Sequence, residues 1–319
     1  PWTVHVAPRQ FSWKRGRLFG PPLNPVFSDC SPVRIAMLYV VAIAEGSEPA
    51  ALELSQAFEA GPEFDEFDRQ RVPDVFFAGM ALYDGDTNTP RSYLVGPESV
   101  DMTVSEIIAA AGIAQWAGAE TQKFGHVTYF WNGNRSGYID ANLEKYVEIE
   151  SDKLAFDLKP WMKAAEITDK VVEAIQNNQY DFIRLNYANG DMVGHTGIPQ
   201  AVEIAVETVD LCLARLVRAA KNVDGILVVS ADHGNSDDMY ECDYKTGELI
   251  YDEKTGKPKP RTAHSLNPVP VHVYAPAGRV PMRLSEHNDL GISSLAATTL
   301  TLLGFEPPKD YTPSIVDIG

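Results

Sequence analysis

Two loops and one further segment of the sequence carry side chains suited to divalent metal chemistry. The first, Asn189-Gly190-Asp191-Met192-Val193-Gly194-His195-Thr196-Gly197, sets an aspartate four residues before a histidine. That spacing brings both to one ion if the loop winds into a helical turn. The second, Asp232-His233-Gly234-Asn235, holds an adjacent pair. On an extended strand these two would point to opposite faces, and a turn beginning at Gly234 can gather them. The third, Thr262-Ala263-His264-Ser265, adds one more imidazole. Carboxylate and imidazole without thiolate suit Mn²⁺, Zn²⁺ or Mg²⁺ and do not select among them. Asp191, His195 and His264 make a three-ligand set that leaves positions open for substrate, as catalytic sites require.

The flanking patterns say what must position these groups. Residues 181–187 (DFIRLNY) and 225–231 (GILVVSA) are short apolar runs that empty into the first and second loops, and residues 269–274 follow the third. They read as strands. A helix over residues 199–220 separates the first two, with Val202, Ala205, Val209, Cys212, Leu213, Leu216 and Val217 on its buried stripe. Cys212 lies within that stripe and is read as core. Further helices are expected over residues 52–58, 104–111, 164–176 and 293–303. The one at 104 opens with a Thr103…Glu106 capping box. Residues 72–83 and 91–96 contain β-like runs, and residues 126–131 (HVTYFW) read as a strand flanked by Lys123 and Arg135, with His126 in the core. Strand and helix alternate toward the C-terminus. The expected fold class is therefore α/β, a mostly parallel sheet with helices on both faces, and its ligands belong beyond the carboxyl ends of the strands.

Composition removes other classes. The chain has 319 residues, 45% hydrophobic and 22% charged, enough for a large core and ordinary for a soluble protein. A net charge of −17 argues against a general nucleic-acid binder. Three cysteines, widely spaced, form no disulfide framework or zinc-knuckle pattern, so a reducing, cytoplasmic compartment is expected. The apolar run at residues 35–44 is too short to span a bilayer and lies too far inside the chain for a signal peptide. No internal repeat or low-complexity segment is apparent.

Residues 1–50 stand apart. They hold five basic against three acidic residues and seven of the 22 prolines, without sustained periodicity before Ile35. Regular patterning starts near Ala51, and Pro97 marks a hinge. Three regions are expected: 1–50, an atypical N-terminal segment; 51–99, the remnant of a second α/β domain; and 100–319, the metal-binding domain.

The three metal-loop segments, continuing through Leu266-Asn267-Pro268-Val269-Pro270, resemble the signature segments of the 2,3-bisphosphoglycerate-independent (cofactor-independent) phosphoglycerate mutases, members of the alkaline-phosphatase-like superfamily. Residues 120–134 (ETQKFGHVTYFWNGN) resemble a further segment of that family. The resemblance covers about residues 51–319. It implies an intramolecular phosphotransferase that interconverts 3- and 2-phosphoglycerate through a phosphoserine. By position it implies Asp191, His195 and His264 on one Mn²⁺, Asp232 and His233 on a second, and Lys123 on the transferred phosphate; Zn²⁺, Co²⁺ or Mg²⁺ are alternatives. A monomer acting on phosphoglycerate, with no nucleic-acid or membrane partner, is the corresponding expectation.

The departures from the family pattern set further expectations. The family's Asp-Gly strand end, its Asn-Ser-Glu-type nucleophile loop and its Arg-Gly-Asp-Arg run have no counterpart here, and Ser47-Glu48-Pro49-Ala50 stands where the arginines belong. Asp29 and Ser31 sit among residues that match nothing in the family. The second metal site is thus expected to be incomplete and the catalytic serine absent, with residues 1–50 an altered replacement for the family's N-terminal part. A non-catalytic metal-binding remnant and a related metal-dependent phosphohydrolase are the alternative readings.

Overall fold

The computed structural model describes residues 2–6, 48–61, 64, 67–68, 76–83, 88–96, 100–243, 245–276 and 281–318, with residues 2–6 and 48–53 described by their backbone course. Asp29, Ser31 and the run at residues 35–44 lie outside the described residues. The chain divides into two compact units, Phe11–Ser99 and the remainder, Pro1–Gln10 with Val100–Gly319.

In the smaller unit, helix α1 (Glu48–Glu59) and strands β2 (Gly79–Ala81) and β3 (Tyr93–Val95) are the regular elements among the described residues. β2 pairs with β3 in parallel, so residues 79–81 of the apolar run find a partner within the chain. The Glu59 carboxylate caps the approach to β3 by accepting from Arg91 N at 2.9 and 3.0 Å. Phe58 stacks on Phe77 with ring centroids 5.4 Å apart.

The larger unit is built on a parallel ladder in the order β5 (Glu144–Ile149), β4 (Gln115–Glu120), β6 (Phe182–Asn186). The central strand β4 (QWAGAE) is buried at every position. Sequence reading missed it, because it lacks the β-branched residues that usually mark a strand. Its small residues serve close packing instead: a Cβ at Gly118 would run into the Trp116 ring. Trp116, Ile183 and Leu185 meet Ile167, Val171 and Ala174 of α4 (Ala164–Asn177) and Leu216 of α6 (Pro199–Asn222) on one face. On the other, Phe182 meets Val104 and Ile108 of α2 (Val104–Ala110) and Leu300 of α7 (Ser294–Leu302). Helices cover both faces, as an α/β fold requires. The capping box of α2 is formed: Thr103 Oγ1 accepts from Glu106 N at 3.3 Å, and Glu106 Oε2 accepts from Thr103 N at 2.8 Å.

A second ladder is antiparallel, β1 (Trp2–Val6), β8 (Val269–Tyr274) and β7 (Leu227–Ser230) in that order. β7 is not hydrogen-bonded to β6, but Leu227 and Leu185 belong to one apolar cluster. β9 (Met282–Leu284) and β10 (Val316–Ile318) pair antiparallel beside it, with Met282 and Val316 packed on Val271 and Val273.

Two sequence expectations are corrected here. Residues 126–131 are not a strand: the segment after β4 is a 3-10 turn (Thr121–Lys123) and a short helix, α3 (Phe124–Val127), followed by turns. Its alternating aromatic pattern mimics a strand, but Phe124 and Val127 pack on Ala117 and Ala119 at helical spacing. Val217 is exposed on α6 while Cys212 and Leu216 are buried, so the buried stripe is narrower than the periodicity indicated. Among the described residues no helix is long and apolar enough to cross a membrane.

Candidate metal centre

β6 ends at Asn186, and within three residues the chain winds into α5 (Asn189–Gly194), which carries Asp191 on its first turn. Asn189 anchors that turn from inside, its Nδ2 donating to Pro160 O at 2.9 Å. His195 follows one helical turn after Asp191, with His195 N donating to Asp191 O at 3.0 Å. The helical turn required by the four-residue spacing is therefore present. Gly197, with φ +67°, then redirects the chain into α6, and a Cβ there would fall 2.9 Å from Pro260 Cβ.

Asp191, His195 and His264 converge. His195 Nε2 lies 3.0 Å and His264 Nε2 3.1 Å from Asp191 Oδ1, and the two imidazole nitrogens are 3.2 Å apart. Ligands held about 2.0–2.1 Å from one tetrahedral ion sit about 3.3–3.4 Å from each other, so this spacing fits a divalent metal. The donor chemistry agrees. His195 Nδ1 stands 2.6 Å from Thr262 O, an acceptor, so the ring donates there and leaves the Nε2 lone pair facing the cluster. Asn235 Nδ2 donates to Asp191 Oδ1 at 2.9 Å and to Asp191 O at 3.2 Å, fixing the carboxylate plane. Sequence reading passed over Asn235, although its place two residues after His233 was the available signal.

Lys123, buried at the end of the 3-10 turn after β4, brings Nζ to 2.5 Å from Asp191 Oδ2. Burial raises the Asp191 pKa, but hydrogen bonds from Lys123 and Asn235 outweigh it and hold the carboxyl down at about 2. Arg184 of β6 anchors α3, the helix that follows the Lys123 turn. Its guanidinium donates from Nε to Val127 O at 2.8 Å and from Nη1 to Gln115 Oε1 at 3.0 Å, with the Trp131 and Tyr146 rings 5.3 and 5.5 Å away.

A family model described as the metalloenzyme superfamily matches residues 36–307. The chain belongs to the metalloenzyme superfamily. A probable 2,3-bisphosphoglycerate-independent phosphoglycerate mutase of Leptospira interrogans is 46% identical over 266 residues, covering 83% of this chain and 48% of that protein. The 2,3-bisphosphoglycerate-independent phosphoglycerate mutase of Trypanosoma brucei brucei is 47% identical over 271 residues, covering 84% and 48%. A crystal structure of Leishmania mexicana phosphoglycerate mutase at low cobalt concentration superposes with a TM-score of 0.76 at 45% identity, over 84% of this chain and 48% of that one. The resemblance seen in the sequence is thus borne out, and the chain spans about half the length of the relatives it matches.

The remaining predicted residues of this metalloenzyme superfamily member are placed less uniformly. His233 stacks on His264, with centroids 3.7 Å apart, and its Nε2 lies 3.9 Å from Asp191 Oδ1 and 3.7 Å from Asp232 Oδ2. Asp232 is more than half exposed and, among the described residues, belongs to no three-ligand group. Gly234 is required for close approach: a Cβ there would collide with Ser265 Oγ and with Asp237, whose carboxylate accepts from Ser265 Oγ and, at 2.6 Å, from Asn267 Nδ2.

Arg135 points away from the centre, exposed and paired with Glu106 at 2.7 Å. His126 is not a core residue. It is exposed on α3, and partial desolvation and the Lys123 ammonium push its imidazole pKa down against the opposing carboxylates of Asp232 and Asp191. The helix-for-strand correction explains the error, because a strand would have turned the ring inward.

Proposed function

We propose that these residues are the metal-binding part of a 2,3-bisphosphoglycerate-independent phosphoglycerate mutase. The reaction would interconvert 3- and 2-phosphoglycerate, a glycolytic and gluconeogenic step, through a phosphoserine. The observation that carries the reading is the Asp191–His195–His264 cluster with the Lys123 ammonium upon it, placed beyond the carboxyl end of a parallel sheet. The names of the relatives support the same substrate.

A divalent ion bound there, Mn²⁺ first and Zn²⁺, Co²⁺ or Mg²⁺ otherwise, supplies charge neutralisation of the phosphoryl group and a lowered pKa at a bound hydroxyl. Asp191, His195 and His264 would hold it, and Asp232 and His233 would contribute an incomplete second site. The chain's own groups prepare the ground. Asp191 stays ionised, and the contact of His195 Nδ1 with Thr262 O orients the ring so that Nε2 faces the cluster. Lys123 has three N–H donors, so its bond to Asp191 leaves others for a phosphoryl oxygen.

The serines of the site loops are committed elsewhere. Ser236 Oγ donates to Gly190 O, and Ser265 Oγ bonds the Asp237 carboxylate. This favours impaired mutase activity in the isolated chain, and makes slow phosphomonoester hydrolysis by water the second reading. In domain terms we assign residues 51–99 to part of a substrate domain and 100–319 to the metal domain of a monomeric, cytoplasmic protein.

The test is incubation of the purified chain with 3-phosphoglycerate and Mn²⁺, following 2-phosphoglycerate and inorganic phosphate separately. Little or no 2-phosphoglycerate with slow, metal-dependent phosphate release is expected. Rapid formation of 2-phosphoglycerate would overturn the impairment. Absence of both metal binding and metal-dependent phosphate chemistry would overturn the whole reading.

A further inference from the structure

Between the second and third site loops the chain makes an arm of two hairpins over residues 240–260, closed by matching turns. Asp243-Tyr244-Lys245-Thr246-Gly247 and Asp252-Glu253-Lys254-Thr255-Gly256 repeat an Asp-x-Lys-Thr-Gly pattern, a short internal repeat that the sequence reading overlooked. In each the Asp Oδ1 accepts two backbone N–H groups, from Lys245 and Thr246 at 2.7 and 3.1 Å and from Lys254 and Thr255 at 3.1 and 2.8 Å. The three limbs of the arm are tied at one level by Glu241 N to Lys259 O (2.9 Å), Lys259 N to Ile250 O (2.8 Å) and Ile250 N to Glu241 O (2.9 Å).

The arm leaves after Asp238 and returns at Arg261, one residue before the carbonyl that orients His195 and three before His264. Arg261 joins these points. Its backbone N donates to Met239 O at 2.9 Å, Nη1 reaches Asp238 Oδ2 at 3.0 Å, and Nη2 reaches His264 O at 3.0 Å. Met239 packs on the cluster of Ala188 and Val193 that supports α5 and Asp191. His264 lies on an exposed stretch with its side chain 37% accessible, so burial does little to hold it in place. The His233 ring stacks on it, Ser265 N ties the following residue to Gly234 O at 2.9 Å, and the backbone of residues 261–264 holds it from the other side.

We propose that Arg261, braced by Asp238, is a positioning residue for the metal triad. It closes the base of the arm and fixes the 261–264 segment, so that His264 Nε2 and Thr262 O meet Asp191 and His195 in register. A planar guanidinium suits this task because its fork serves two acceptors in different directions at once, which a lysine ammonium on a flexible stem does poorly. The inference rests on the metal-binding reading of Asp191, His195 and His264.

The experiment is titration of the full chain with Co²⁺, read by calorimetry and by the visible absorption of the bound ion, beside a melting curve in chelator. Wild type is measured first, and failure to bind Co²⁺ would refute the metal reading itself, whatever Arg261 does. Given wild-type binding, Arg261→Met is expected to bind Co²⁺ roughly 10–100-fold more weakly, the usual cost of losing a partner behind a metal ligand, with an altered spectrum. Arg261→Lys should recover part of the affinity at most. Unchanged affinity and spectrum in Arg261→Met would overturn the proposal. Should that variant not fold, Asp238→Asn decides: weaker binding supports the brace, and wild-type binding overturns it. Asp252→Asn, which loosens the distal turn alone, should bind as wild type does. A loss equal to that of Arg261→Met would overturn the assignment to Arg261.

Discussion

Lys123 Nζ and Asp191 Oδ2 lie 2.5 Å apart although 68 positions separate them in the chain. The pair joins the carboxyl ends of adjacent strands β4 and β6, and it sets the protonation state of the carboxylate on which both His195 and His264 converge.

The pairing predicts an acid-side loss of stability in the metal-free chain. The Asp191 pKa is lowered from 3.8 to about 2, so the folded state releases this proton more readily than the unfolded state does. Its stabilisation is fully present above pH 3.8 and is lost as pH falls toward 2, amounting to about 2 kcal/mol by linkage. Urea unfolding in chelator between pH 5 and pH 2 should show that loss in wild type and not in Asp191→Asn. Parallel pH profiles for the two proteins would contradict it.

Metal stoichiometry is the second expectation. With three ligand atoms gathered at Asp191, His195 and His264 and, among the described residues, no third group joining Asp232 and His233, Mn²⁺ titration should give one tight site per chain. His264→Ala should weaken it beyond the roughly 10–100-fold that follows loss of an outer partner. Two tight sites, or undiminished binding by His264→Ala, would count against this arrangement.

A third expectation concerns Gly194, at the end of α5. A Cβ there would stand 2.7 Å from Asn235 Cγ and closer still to Oδ1, displacing the side chain that holds Asp191. Gly194→Ala should therefore destabilise the fold by about 1–3 kcal/mol, the range for overpacking, and weaken metal binding as well. Asn235→Ala, which removes the obstacle, should restore folding in the double variant but not metal affinity. Calorimetry and thermal melts on the two variants would check both parts, and unchanged metal binding in Gly194→Ala would refute the steric account.

The candidate ligand types and the loops that carry them are legible in the sequence alone. Asp191 and His195 at a four-residue spacing, the Asp232-His233 pair after an apolar run and His264 before another are local patterns, and the strand–helix alternation around them is local too. Local patterns survive because backbone geometry over a few residues follows from the residues themselves. Nothing local marked β4: its Gln-Trp-Ala-Gly-Ala-Glu becomes a strand because β5 and β6 pair with it and α4 packs on Trp116. Residues 126–131 erred in the opposite direction, since an alternating aromatic run has strand character until Ala117 and Ala119 claim Phe124 and Val127 as one helical face. Partners distant in sequence were likewise decided by tertiary structure alone: Lys123 on Asp191, Asn235 beneath it, Arg184 under α3 and Asp238 on Arg261. A lone Lys, Asn or Arg has no periodicity to betray it, and its role exists only once separate strand ends have been brought within hydrogen-bonding distance.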